Sequence, residues 1–514
     1  MSSQKITLVD LIDDFEGCDN AVTFVNENGC DDVLYSQLAK DIRSEAALHR
    51  AAGLAGGERV LVSLTSSRRA VTRFLALVEA GAVPVSVKPR NVAFGDYEQY
   101  IQRIAAQQHA SAYFEGDTER PEWINGLPAR AHKPSRGRDR ANRDDVAFVQ
   151  YTSGSIASPK PIPLSHGSVM HNISELVRRE GRTCSDCMLN VIPLCHDMGL
   201  IGGVLGSFLE RNPLIVVDTK WFLRSPVSVL KLGMRRQVTV APIPNFVVRY
   251  LTRILRLKSD AAPYFDTWKN IYIGSERITK ETIEQFISVG ARFALHPRSL
   301  IFSYGMAEAA LMVTSYRFTN MAEAFDDEVD GSSHANNGVP LDGIEVELGD
   351  AAGSYREIKV RGESLFSNSE SPLERTSTWH HTGDVGYRKG GNLFIVGRIR
   401  DSITVDGSNV HAADVEEALS NEMAVEQCIC EPIDGVLHVW LVTKRTDLVD
   451  AERVTRLLRR LFGIGKSQVA TIRPAQVART TSGKIMKQVT VQRLLSASCT
   501  HVSHNSLCQE HTAA

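Results

Sequence analysis

The sequence lacks an excess of charge of either sign: over 514 residues, 58 lysines and arginines face 60 aspartates and glutamates, for a net charge of −2. No global field draws such a chain to nucleic acid or to an anionic membrane, so an anionic ligand must be held by local groups. The sequence also lacks any run of about 18 apolar residues, the length that marks a membrane span. The N-terminus has no basic start leading into an apolar stretch, so no secretion signal is read and the cytoplasm is the expected compartment. Cysteine is sparse and odd in number: nine residues spread from Cys18 to Cys508 make a poor disulfide framework and are expected as reduced thiols. Cys184-Ser-Asp-Cys187 has metal or redox spacing, but no second pair completes four ligands, which favours an ordinary structural role. Internal repeats and low-complexity tracts are absent as well.

What is there is a composition at the globular average, 43% hydrophobic and 23% charged. At roughly 150 residues per domain the length allows about three domains or one large enzyme. Arg59-Val-Leu-Val-Ser-Leu64 reads as a strand, Arg69 to Gly81 as a helix closed by glycine, and Val83-Pro-Val-Ser-Val87 as the next strand. Such units favour parallel pairing with right-handed crossovers and put ligand-binding loops at the carboxyl ends of the strands. The theme returns in Leu214–Val217 and Val238–Ala241, and in Ile271–Ile273 followed by the helical pattern Ile278 to Val289. Beyond residue 330, short strands with glycine turns at Gly343–Leu348 and Asn392–Val396 predict a smaller β-rich subdomain. From Asp401 onward, helices at Ala412–Leu419 and Ala451–Leu461 alternate with a strand at His438–Thr443. The expected fold is α/β: a large N-terminal domain (1–400) of parallel and mixed sheets with flanking helices plus a β-rich subdomain, then a small α+β C-terminal domain (401–514). The basic, turn-rich stretch Arg130 to Arg143 reads as a solvated linker, since it has no interleaved aromatic residue and is followed by Asp144 and Asp145, so no nucleic-acid partner is expected. The polar tail from Ser496 is expected to fray.

The chemistry begins where Val146-Ala-Phe-Val-Gln150 runs into Tyr151-Thr-Ser-Gly-Ser-Ile-Ala-Ser-Pro-Lys160. Small residues let backbone N–H groups approach phosphate oxygens, hydroxyls add donors, and a lysine adds a compact positive charge. Alone, a loop of this kind is more often an ordinary surface turn than a phosphate site, and its spacing is not that of the common nucleotidase loop.

Thr152-Ser-Gly-Ser155 with Pro159-Lys160 resembles the phosphate loop of adenylate-forming enzymes, the superfamily of acyl-CoA synthetases, non-ribosomal adenylation domains, luciferase-like ligases and fatty acyl-AMP ligases. The resemblance continues in order. Pro193-Leu-Cys-His-Asp-Met-Gly-Leu200 is similar to the acid-binding segment, Pro244-Asn-Phe246 to the pocket helix, and Gly274-Ser-Glu276 to the adenine-side loop. Ser303-Tyr-Gly-Met-Ala-Glu308 resembles the adenine and magnesium motif, and Thr382-Gly-Asp384 the ribose motif. Gly397-Arg-Ile-Arg-Asp401 through Asn409 resembles the hinge, and Thr481-Ser-Gly-Lys484 the lysine loop. The segments His-Asp-Met-Gly-Leu, Pro-Asn-Phe and Tyr-Gly-Met-Ala-Glu resemble the fatty acyl-AMP ligase branch most.

The resemblance implies ATP and magnesium as cofactors and assigns roles. Thr152, Ser153, Gly154, Ser155 and Lys160 would hold phosphate; Gly274, Ser275, Glu276, Tyr304, Gly305 and Met306 would frame adenine, with Tyr304 stacking on it; Asp384 and Arg398 would bind ribose or phosphate. Glu308, with Thr152, would ligate magnesium through oxygen atoms. His196 would line the acid pocket beside Asp197, Gly199, Asn245 and Phe246. Leu200, Ile201, Val204, Val240, Phe246 and Val247 suit an apolar pocket and, at these spacings, equally an ordinary core. Lys484 would stabilise charge on the reacting phosphorus, and Asp401 would mark a hinge on which the C-terminal domain moves.

The phosphate loop departs from the family pattern at Ile156, Ala157 and Pro161, which remove a hydroxyl, narrow the backbone angles and remove an N–H. The region where fatty acyl-AMP ligases carry an insertion is short here, and Ser315 to Asn337 reads as a reduced version of it or as a solvated loop. The implied reaction is adenylation of a carboxylic acid with pyrophosphate release, then transfer to the phosphopantetheine thiol of a stand-alone acyl or peptidyl carrier protein. Free CoA and an amine are the alternative acceptors, and a non-catalytic nucleotide or acyl binder is the alternative class. No attachment-serine motif lies near the C-terminus.

Overall fold

The computed structural model describes residues 7–499 apart from 55, 91–96, 119–121, 124–140, 152–159, 260–261, 328–331, 353–354, 367–376, 406–407, 424, 426, 434, 445–449 and 480–484. The chain divides at Arg400/Asp401 into two compact units.

The first unit is built on two large sheets and a smaller one. In one large sheet the strand order is Val339–Pro340, Met312–Arg317, Leu300–Gly305, Asn270–Gly274, Val240–Pro244, Met188–Asn190, Leu214–Val217, Ala21–Asn26 and Gly29–Leu34. Its central pairs, from Leu300–Gly305 through to Ala21–Asn26, are parallel. The other carries Arg59–Ser63 between Ala112–Phe114 and Val83–Val87, all parallel, followed by Val146–Tyr151 and the edge strand Pro161–Ser165. The helix between its first two core strands is Arg68–Glu79, opened by Ser67, whose Oγ accepts from the Ala70 N–H at 3.2 Å. It buries residues on every side from Ala70 to Val78, as a crossover helix packed between sheet and neighbour must. Ile344–Ala352, Tyr355–Gly362, His380–Lys389 and Asn392–Arg398 form the four-stranded antiparallel sheet, which is the β-rich subdomain expected beyond residue 330.

Three expectations need correction. The strand predicted over Val238–Ala241 runs instead over Val240–Pro244. Thr239 is occupied by bonds to Cys187 and Asp186, so the ladder starts one residue later. It then continues through Pro242 and Pro244, residues that local rules exclude from interior strands. Second, Ser315 to Asn337 is no solvated loop: it holds the end of Met312–Arg317, the helix Met321–Ala324 and the paired strands Phe325–Asp326 and His334–Ala335. Asp326 is buried because Tyr387 Oη donates to it at 2.8 Å and Lys389 Nζ at 2.9 Å, which supplies the compensation a buried carboxylate needs. Third, Ser496 to Cys499 do not fray but complete the helix Lys487–Cys499, where Ser496 Oγ donates to the Gln492 carbonyl at 2.8 Å.

The second unit pairs Gln427–Ile433, Val436–Val442 and Ser467–Ile472 in one sheet. Ala412–Glu422 and Ala451–Phe462 pack Val415, Leu419, Val454 and Leu458 on one core, while Trp440, Val442, Ile472 and Val491 form another. Within this unit the Lys487 ammonium lies 3.2 Å from Glu416 and 3.4 Å from Glu431. No helix among the described residues is long and apolar enough to cross a membrane.

His166 ties the first unit together at its N-terminus: its Nδ1 accepts from the Leu8 N–H at 3.1 Å. Burial pushes the imidazole down to about 4, against the opposing pull of Asp145 and Asp10. The unfolded chain takes up the proton near the ordinary histidine value, before the folded one does, so stability is full above about pH 6.5 and is lost as pH falls towards 4. The difference amounts to about 3 kcal/mol. Urea unfolding at several pH values should give a His166→Gln variant with that much less pH dependence over this window than the native chain.

Candidate active site

Parallel strands end on one edge, and the predicted segments follow those ends. Val240–Pro244 leads into Asn245, Asn270–Gly274 into Ser275 and Glu276, and Leu300–Gly305 into Met306 and Glu308. Met188–Asn190 leads towards His196 on the same edge. The carboxyl edge of a parallel sheet is where α/β proteins bind ligands. Local packing explains the residue types. A Cβ on Gly274 would lie 2.7 Å from the Ser303 carbonyl oxygen, so this close crossing admits only glycine. Ser275 adopts φ of +70°, a conformation costly for a residue with a side chain and one that clusters at functional sites.

On one side of this edge stands a buried carboxylate. Tyr304 Oη donates to Asp384 Oδ2 at 2.7 Å, and Arg398 Nε donates to Oδ1 at 3.1 Å. Antiparallel register puts Asp384 opposite Arg398. The Asp384 N–H donates to Thr382 Oγ1 at 3.0 Å, and that hydroxyl donates to the Ile358 carbonyl at 2.7 Å, so the Thr-Gly-Asp turn is held by its own threonine. Burial pushes the Tyr304 phenol well above its ordinary value, so it remains a donor at neutral pH.

Glu308 is half-buried, and its carboxylate makes no hydrogen bond or ion pair among the described residues. Its backbone carbonyl accepts from the Phe366 N–H at 2.8 Å. The Phe366 ring carries the Lys160 ammonium 5.2 Å from its centroid and meets the His380 ring edge-on at 5.6 Å. Burial holds the His380 imidazole below its ordinary value, against the pull of Glu308. Pro161 opens the edge strand Pro161–Ser165, a place where a missing N–H breaks no ladder.

On the acid side, His196 Nδ1 lies 2.7 Å from Asp197 Oδ1, and Asp197 also accepts from the Met198 N–H at 2.7 Å. From there Met198–Leu205 winds as an eight-residue π-helix, wholly buried; π-helical turns are rare and concentrate at functional sites. Three of its glycines are contact points. A Cβ on Gly199 would come within 2.5 Å of the Pro193 carbonyl oxygen, one on Gly202 within 2.8 Å of Leu311, and one on Gly203 within 2.8 Å of Asn190. Asn245 donates to the Arg277 carbonyl at 2.6 Å, while its buried Oδ1 has no partner. Phe246 is half-buried at the start of the helix Asn245–Arg256, and Arg249 on that helix reaches Glu276 at 3.4 Å.

Thr152, Ser153, Gly154, Ser155, Ile156, Ala157 and Lys484 lie outside the described residues. Asp401, half-buried, ends the 3-10 turn Ile399–Asp401. Phe366, His380, Thr382 and Gln150, which donates to the Cys195 carbonyl at 2.7 Å, belong to the same neighbourhood and were not predicted as site residues, except that Thr382 opens a motif that was. Cys187 is buried with its thiol pushed up to about 11, Cys184 is exposed, and no set of three metal-ligating side chains occurs among the described residues.

The parallel edge, its glycine-lined loops and the Tyr304–Asp384–Arg398 cluster define a nucleotide-binding enzyme of the adenylate-forming type. Residues 16–370 of the chain match the family of AMP-binding enzymes, and the chain belongs to that family. It is similar to the medium-chain-fatty-acid–[acyl-carrier-protein] ligase JamA of Moorena producens, 27% identical over 366 residues, which cover 63% of this chain and 61% of the relative. It is 25% identical over 567 residues to a putative fatty-acid–CoA ligase, FadD25, of Mycobacterium tuberculosis, covering 93% of this chain and 95% of that one. The long-chain-fatty-acid–AMP ligase FadD26 of Mycobacterium marinum is 25% identical over 478 residues, 80% of this chain and 79% of the relative. Among solved structures, a chain from a study of fatty acyl-adenylate ligases of E. coli and L. pneumophila shares the fold with a TM-score of 0.83 at 23% identity, covering 96% of this chain and 99% of that one.

The paired donors on Asp384 make a prediction. Tyr304→Phe leaves a buried carboxylate short of one donor and should cost about 1–2 kcal/mol of stability. Arg398→Lys, on a half-exposed pair, should cost less than about 1 kcal/mol. Urea unfolding of the two variants beside the native chain checks the order.

Proposed function

We propose that the chain is an ATP-dependent acid ligase that adenylates a fatty or other apolar carboxylic acid and passes the acyl group to the phosphopantetheine thiol of a separate carrier protein. The observation that carries this reading is the grouping of Tyr304, Asp384 and Arg398 with the unpaired carboxylate of Glu308, at an edge the π-helix also reaches. The names of the relatives support the acid and the carrier.

In the first step an oxygen of the substrate carboxylate bonds to the α-phosphorus as the bond to the bridging oxygen breaks, and pyrophosphate leaves with the electron pair. In the second, a thiolate adds to the acyl carbonyl and AMP departs. Both steps depend on positioning and charge stabilisation more than on covalent help from the protein. Asp384 accepts from the ribose hydroxyls, exchanging its present donors for them in part, and Tyr304 gives adenine a flat apolar face. His196, fixed by Asp197, orients the acid. Glu308 suits magnesium, because a half-buried carboxylate with no ion pair among the described residues offers the hard oxygen donor such an ion takes; Thr152 is its partner in this reading. Magnesium, when bound, neutralises phosphate charge. Lys160, steadied over Phe366, holds the leaving phosphates, and Lys484 stabilises charge developing at the α-phosphorus, with Asp401 as the hinge of the second unit.

Acid-dependent pyrophosphate release with ATP and magnesium, across short, medium, long-chain and aryl acids, tests the reading. Release should need one class of acid and fall by about 100-fold or more in Lys484→Ala and Glu308→Gln. Absence of release from the native protein with every acid would replace the catalytic reading by that of a nucleotide or acyl binder. Appearance of the acyl group on carrier protein, on CoA or on an amine then identifies the acceptor.

A further inference from the structure

Behind the π-helix lies a group that the reaction above does not use. Arg182 is only 4% exposed, and its Nε, Nη1 and Nη2 have no hydrogen-bond partner among the described residues. A guanidinium stays charged at any accessible pH, and a buried charge without a counter-charge is strongly unfavourable. The acids around it are already spent. Glu180 accepts from Arg317 at 2.6 Å and from Ser315, and Asp186 accepts from Thr183 and Thr239 and pairs with Lys269 at 3.2 Å.

Two more buried polar side chains share this condition. Tyr272, 4% exposed, turns its hydroxyl towards Arg182 without a bond of good geometry, and Asn212, fully buried, has neither its amide nor its carbonyl oxygen paired. Tyr35, whose hydroxyl donates to the Asn212 backbone carbonyl at 2.8 Å, closes the group on the side of its helix.

The position of this cluster gives it meaning. A Cβ added to Gly206 would stand 3.3 Å from Arg182 Nη1, so the guanidinium rests against the far end of the helical segment that begins beside His196 and Asp197. From Gly199 to Gly206 that segment, as a π-helix, advances less than the roughly 10 Å an α-helical rise would give. Tyr272 sits two residues before Gly274 in the strand Asn270–Gly274, on the same face. The polar cluster thus lies in line with the acid side of the edge, one medium-length chain away from it.

We infer that Arg182, with Tyr272 and Asn212, ends the acyl site and binds a second carboxylate, so that the acid activated here carries an anionic group at the end opposite its reacting one. This rests on the acyl-adenylation reading and narrows it to α,ω-dicarboxylic acids and acids of the same shape. A planar guanidinium with several free N–H donors pairs a carboxylate through two parallel bonds, which few other groups match. A site built to hydrogen-bond a substrate group rejects the analogue that lacks it, because the site's own polar atoms then stay unpaired.

The experiment compares the native protein with Arg182→Leu and Arg182→Lys. Pyrophosphate release is measured with unbranched dicarboxylic acids from adipate to sebacate and with the monocarboxylic acids of the same lengths. The inference expects the native protein to prefer one dicarboxylic acid over its monocarboxylic match by about 100-fold in kcat/KM. It expects Arg182→Leu to reverse the preference and Arg182→Lys to retain part of it. Equal use of both series, with a ratio unchanged in Arg182→Leu, overturns it and leaves a buried arginine of structural role only. Thermal unfolding provides a readout that needs no turnover: the preferred dicarboxylate should raise the Tm of the native protein and not of Arg182→Leu. If no acid of either series supports release, the adenylation reading fails, while that Tm difference still decides the second-carboxylate site. An equal rise with inorganic phosphate overturns the substrate assignment in favour of a general anion pocket.

Discussion

One buried carboxylate joins two sheets. Asp384 belongs to the four-stranded antiparallel sheet, Tyr304 to the end of a strand in the large mixed sheet, and the hydrogen bond between them is short and out of solvent. A carboxylate in that position is tolerable only while donors surround it; Tyr304 and Arg398 supply them, and Thr382 holds the backbone turn that presents it. The loop bearing Glu308 follows directly from the strand that carries Tyr304. The geometry of the nucleotide side is therefore set by an electrostatic requirement, and the neighbouring loops inherit their positions from it.

The acid side follows a different rule, that of close packing. The π-helix from Met198 to Leu205 is covered on all sides, and its glycines bring it against Pro193, Leu311 and Asn190. Leu311 follows the Glu308 turn, so the proposed acid wall and the proposed magnesium ligand stand on adjoining segments. Ser275, held at a positive φ, follows the neighbouring strand Asn270–Gly274. Small residues and one strained backbone position stand where these neighbouring strands end.

Much of this was legible in the residues. Parallel β-strands announce themselves as β-branched runs between helical patterns, and their carboxyl ends are the places where Asn245, Ser275 and Glu308 stand. Other features were hidden for physical reasons. Met-Gly-Leu-Ile-Gly-Gly-Val-Leu carries no polar residue to reveal a period, so nothing in it distinguishes a π-helix from an α-helix or a buried strand. Pro242 and Pro244 disguise a central strand. The acidic stretch around Asp326 looks solvated because its partners, Tyr387 and Lys389, are distant in sequence. Arg182 reads as an ordinary charge after a helix, and only the fold reveals that it is enclosed.

The glycines of the π-helix also limit how the acid site can change. Gly199 faces a backbone oxygen, which no side-chain rotation can move aside, Gly203 faces the fully buried Asn190, and Gly202 faces the half-buried Leu311. In the proposed reading the wall at Gly199 cannot grow inward, so a change in the length or ending of the acid falls to facing residues such as Tyr272 and Arg182.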